Sequence, residues 1–81
     1  MIILSQHLAT RMNQKRLTMA HIESAIAAPD WTQPDRAWPG VTVSFKAIPG
    51  FGNRIIRVAH RPAGADIFVI TAHWDRGARR P

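Results

Sequence analysis

The sequence predicts an α+β domain in which two N-terminal helices pack on a three- to four-stranded antiparallel sheet. Before Pro29, apolar residues recur twice at helical spacing, each run opened by a residue that caps helices. From Val41 onward apolar and polar residues alternate in short segments separated by Gly and Pro. The length of 81 residues sets the scale: one domain spanning residues 1–81, with one modest core.

Taken in order, Met1 to Leu4 is a short apolar start, below the length of a signal-peptide core or a membrane span. Ser5 is the expected N-cap of a first helix carrying Leu8, Ala9 and Met12 on one side and ending in the polar run Asn13 to Arg16. Thr18 caps a second helix whose stripe of Met19, Ile22, Ala25 and Ile26 is stopped by Pro29. The segment Asp30 to Gly40, with Trp31, Pro34, Trp38 and Pro39, reads as a loop or a broken edge strand.

Val41, Val43, Phe45 and Ala47 then alternate with Thr42, Ser44 and Lys46, the signature of a strand with one buried face. Pro49 to Asn53 is a turn, Ile55 to His60 a second strand, Pro62 to Ala65 another turn, and Ile67 to His73 a third strand. Together these form a meander. Arg76, Arg79 and Arg80 close the chain in a Gly-containing tail expected to fray.

Composition narrows the partners. A chain that is 46% hydrophobic and 20% charged folds rather than staying disordered. With no Cys, neither disulfides nor thiolate zinc sites are available. The net charge of +6 favours phosphate-bearing or acidic partners, and Arg, whose planar fork binds phosphate bidentately, outnumbers Lys. A cytoplasmic protein is expected, without a cofactor, a metal or a membrane. The Gly50-x-Gly52 pair sits between strands and opens no helix, so it is a turn and not a phosphate loop.

His7 and Arg11 lie one helical turn apart on the same face, where they can address one anion. The pattern His7-x-x-x-Arg11-Met12, then Lys15-x-Leu17-Thr18 with Ile22, Ile26 and Pro29, and finally Val69-Ile70-Thr71-Ala72, resembles a small bacterial domain family. That family is grouped with the RelE-like and barnase-like ribonuclease toxins. The likeness departs at Lys15, where Arg is usual, and at Arg16, where Gly is expected between the helices.

The resemblance implies a RelE-like fold and a toxin that cleaves RNA without a metal, with RNA, free or ribosome-bound, and a cognate antitoxin as partners. Such chemistry needs a base for the 2′-hydroxyl, an acid for the leaving oxygen and a cation on the phosphate. On this reading the catalytic candidates are His7, Arg11, Arg57, Thr71 and His73, and the nucleic-acid contacts Lys46, Arg54, His60 and Arg61. Two alternatives are a non-catalytic nucleic-acid-binding module and a protein-interaction domain with an acidic partner.

Strand register decides which of these groups meet. A four-residue turn between the last strands puts Arg54, His60, Thr71 and His73 on one face, whereas an odd-numbered turn joins Arg57 and Arg61 to Thr71 and His73. The sequence leaves both open. Trp74 reads as a residue closing the core, and Trp31 or Trp38 as a base-stacking platform or a protein anchor.

Overall fold

The computed structural model describes residues 1–81. Its elements are β1 (Ile2–Leu4), α1 (Gln6–Lys15), α2 (Met19–Ala27), β2 (Trp31–Pro34), β3 (Thr42–Ile48), a 3-10 turn (Pro49–Phe51), β4 (Arg54–Ala63) and β5 (Asp66–Trp74). The strands form one sheet in the order β1-β5-β4-β3-β2. All neighbours are antiparallel except β1, which runs parallel to β5 with Ile2 beside Ile67 and Leu4 beside Val69.

The architecture is α+β with two helices, but the expected antiparallel sheet of three to four strands is corrected to a mixed sheet of five. The fifth strand is the apolar start itself. Three residues are too few to show a period of two, and their pairing with β5 depends on a partner more than sixty residues away in sequence. Ser5 extends that pairing: its N–H donates to Val69 O at 2.9 Å and its hydroxyl to Ile70 O at 2.7 Å. The Asp30–Gly40 segment resolves into a four-residue edge strand, Trp31 to Pro34, and a tight loop.

Both helix starts form where their caps are. Ser5 Oγ accepts from Leu8 N at 3.2 Å, and Thr18 Oγ1 accepts from His21 N at 3.2 Å while His21 Nδ1 accepts from Thr18 N. In this capping box His stands where Glu or Gln is usual. Between the helices Arg16 adopts the left-handed conformation, φ 56° and ψ 34°, as the C-cap of α1. This is the position where Gly is expected, and a side chain there costs about 1–2 kcal/mol. Replacing Arg16 by Gly, after the ~0.5–1 kcal/mol entropic cost of Gly, should stabilise the fold by roughly 0.5–1 kcal/mol. Urea unfolding tests this through a raised midpoint at constant slope.

Both helices cover one face of the sheet. Leu8, Leu17, Ile22 and Ala25 pack there against Ile56, Val58, Val69 and Ala72. Trp74 closes the rim of this core, its ring stacked on Phe51 at 4.7 Å and its Nε1 donating to Lys15 O at 2.8 Å. The opposite face carries a smaller cluster of Val41, Val43, Phe45 and Ala59, with Trp31 stacked on Phe45 at 4.7 Å. No helix covers this second face. The tail expected to fray crosses it instead: Asp75 N donates to Ile55 O, Ala78 packs on the small cluster, and Arg80 reaches Asp30 at 3.8 Å.

Candidate nucleic-acid interface

The β4–β5 hairpin turns through two residues, Gly64 and Ala65, so that Ala63 pairs with Asp66, Arg61 with Phe68 and His60 with Val69. Continued unbroken, this register would place His73 and Thr71 on the face of Ile56 and Val58. A bulge shifts it between Ala59 and His60, and beyond it Ala59 pairs with Thr71 and Arg57 with His73. Thr71 and His73 therefore stand with Arg57 and Arg61 on the helix-free face. The grouping is that of the odd-turn register, reached through an even turn and one extra strand residue.

Cross-strand pairing then lays out the face in rows. Trp31, Phe45, Arg57 and His73 form one row across β2 to β5, and Gln33, Val43, Ala59 and Thr71 the next. Farther along, Arg61 lies opposite Phe68 with its guanidinium 4.8 Å from the ring centroid. The loop after β2 reaches over this face and parts two clefts. One, of about 350 Å³, includes Gln33, Asp35, Arg36, Val43 and Arg57 in its lining, and the other, of about 320 Å³, includes Trp38, Val41, Arg61 and Ile70.

His73 is half-buried in this face, and its pKa is lowered, first by burial and then by the charges of Arg57 and Lys15, with Asp75 acting the other way. The ring is therefore neutral at physiological pH, ready to accept a proton. Lys15 was not among the expected site residues. It continues the His7–Arg11 stripe by one more turn, and its Nζ donates to Ala72 O at 3.1 Å on the β5 edge beyond β1. The spacing of four residues after Arg11 was the available signal.

The remaining candidates lie elsewhere. His7 and Arg11 are exposed on α1, in the helical layer, and the structure does not bring them onto the face of Arg57 and His73. Lys46, Arg54 and His60 project from the helix-covered side. Lys46 Nζ donates to Ala28 O at 2.8 Å at the C-cap of α2, where a cation is favoured. Arg54 lies over Phe51 at 5.8 Å.

His60 shares a 2.7 Å hydrogen bond with the hydroxyl of Ser44, which is only 2% exposed. Burial lowers the pKa of His60. The unfolded chain thus takes up a proton more readily than the folded one. The stability held by the neutral pair is full above the ordinary value of 6.5 and is lost as pH falls through the depressed folded value. His60→Gln should flatten the part of the pH dependence that His60 supplies, leaving that of His73, in urea unfolding between pH 7.5 and 5. An unchanged profile would remove His60 as its source.

No three His, Asp or Glu side chains converge anywhere in the fold, and no helix is long and apolar enough to cross a membrane. Compared with known proteins, the chain matches no family model, no curated protein and no solved structure.

Proposed function

We propose that the helix-free face binds single-stranded RNA and cleaves it without a metal, as the toxin of a toxin–antitoxin pair with an acidic antitoxin as inhibitor. The observation that carries this reading is the cross-strand pairing of Arg57 with His73, a cation beside an imidazole whose pKa is lowered, with Thr71 on the same face. His73 removes the 2′-hydroxyl proton. The oxygen so formed bonds to the adjacent phosphorus while the bond to the 5′-oxygen breaks, giving a 2′,3′-cyclic phosphate and a 5′-hydroxyl that takes its proton from water. Arg57 holds the phosphate and offsets the charge that builds on its oxygens.

A second reading has its own support. Of the four His, only His73 is on this face, since His60 faces the helices, His21 sits against Phe51 and Trp74, and His7 is exposed on α1. A face with a single imidazole suits binding without cleavage as well.

The same assay addresses both. Purified chain is mixed with single-stranded RNA in EDTA, and binding and cleavage are followed as salt is raised. Arg36, Arg57 and Arg61 are the cations lining the two clefts. Three phosphate contacts, at ~0.7 each, give an expected log–log binding slope of about −2.1. Lys46 and Arg54 add nothing to it from the other face. Binding with this slope but no cleavage, even on ribosomes, favours the binding module; a flat salt response rejects both readings. Growth arrest on expression, relieved by a co-expressed acidic protein, is the cellular counterpart of the toxin reading.

A further inference from the structure

The chain from Asp35 to Gly40 is a hydrogen-bonded projection. Asp35 Oδ1 accepts from Ala37 N at 2.8 Å and from Trp38 N at 3.0 Å. Asp35 N donates to Val41 O, Val41 N donates to Trp38 O, and Gly40 takes the positive φ of 81° that the turn back into β3 needs. At the tip Trp38 is 69% exposed. A lone exposed Trp is ordinary. This one is different because its backbone is pinned and because it walls a cleft of about 320 Å³ whose other sides are Pro39, Val41, Ile70 and Arg61.

The chemistry of that cleft is narrow. Its walls are apolar and include an indole, and its one charged group is the guanidinium of Arg61, held in place over the Phe68 ring. A flat ring attached to an anion satisfies both features at once. Arg61 and Arg57 are four residues apart on the same face of β4, about 13 Å at ~3.3 Å per residue.

We infer that the Trp38–Arg61 cleft is a nucleobase subsite for single-stranded RNA, in which Trp38 stacks on a base and Arg61 takes its phosphate. This rests on the RNA reading of the face. It adds that the strand runs along β4, past the Asp35–Gly40 loop, and that bases as well as phosphates contribute to binding. Stacking is tolerant of base identity, so the subsite selects single strands over duplexes and not one base over another.

The test compares a fluorescein-labelled octauridylate with an abasic ribose-phosphate strand of the same length, by anisotropy, across a salt series. Trp38→Ala should weaken binding of octauridylate roughly 5- to 150-fold, the equivalent of ~1–3 kcal/mol for one stacked base. It should leave the abasic strand and the salt slope unchanged. Trp38→Phe should recover most of the loss. Arg61→Ala should instead lower the slope by ~0.7 on both strands. If Trp38→Ala binds octauridylate as the wild type does, or weakens both strands equally, the subsite is wrong while the RNA reading stands. If the wild type binds neither strand, both fail, and Trp38 is left as the anchor of a protein contact.

Discussion

His73→Ala should lower RNA cleavage by about 10²–10⁴-fold, the range that general acid–base catalysis contributes, while the protein remains folded. His73 is half-buried at the end of a strand and makes no side-chain hydrogen bond that the core depends on. Arg57→Gln removes the cation opposite it and should reduce the rate by about 10²–10³-fold, as losing one stabilising donor at a developing oxyanion does. The pH profile separates their roles. A base must be neutral to act, and the pKa of His73 is depressed below its ordinary 6.5, so activity should rise with pH through that depressed value and be level above 6.5.

Burial is the first cause of the depression and Arg57 the second. Arg57→Gln should therefore move the acidic limb up toward 6.5 without reaching it. Arg79→Ala, in the exposed tail, is the control for total charge. Cleavage by His73→Ala at the wild-type rate, or an acidic limb that Arg57→Gln does not shift, would set this mechanism aside. His7→Ala and Arg11→Ala are expected to leave the limb in place, since both residues sit on the helical layer.

Ile56→Ala should have the largest effect on stability. Ile56 is fully buried at the centre of the helix-covered face, packed in one cluster with Leu8, Leu17 and Ile22. Truncations of this kind cost about 2–5 kcal/mol, against a total of roughly 4–12 kcal/mol for a domain of this length. A fall in Tm of roughly 10–40 °C follows, at ~4–8 °C per kcal/mol. The adjacent Arg57→Ala faces the other way and should cost little. Thermal and urea unfolding of the pair thus test the face assignment itself, and similar losses from both would contradict it.

Strand β3 was readable from the alternation of Val43 and Phe45 with Thr42, Ser44 and Lys46, but the expected single buried face is corrected: the helix-covered side is its polar side, and it buries Ser44 to 2% exposure. The caps were readable because Ser5 and Thr18 act on their own neighbours three residues on. The loop role of Trp38 was half-legible: Asp35 before two free amides, followed by Pro39 and Gly40, is a turn signal, but it does not say which face the turn overhangs.

The candidate site was less legible than the fold. Arg57, Thr71 and His73 were all nameable from residue type, yet their company was not, because the bulge between Ala59 and His60 flips every later residue of β5 relative to β4. No local signal marks it. A residue near its middle, Ile70, looks like an ordinary strand position and joins the open-face cluster only because that cluster is there to receive it.

By itself, then, the sequence determined what short-range physics controls: two capped helices, the strands from Val41 to His73, the excess of positive charge and the absence of any thiol chemistry. Tertiary structure alone decided the β1–β5 pairing, the docking of the tail by Ala78 and Arg80, and the row that sets His73 against Arg57. Each of these depends on groups far apart in the chain, whose meeting is favoured by burial and hydrogen bonding summed over the whole sheet. No window of neighbouring residues contains that sum.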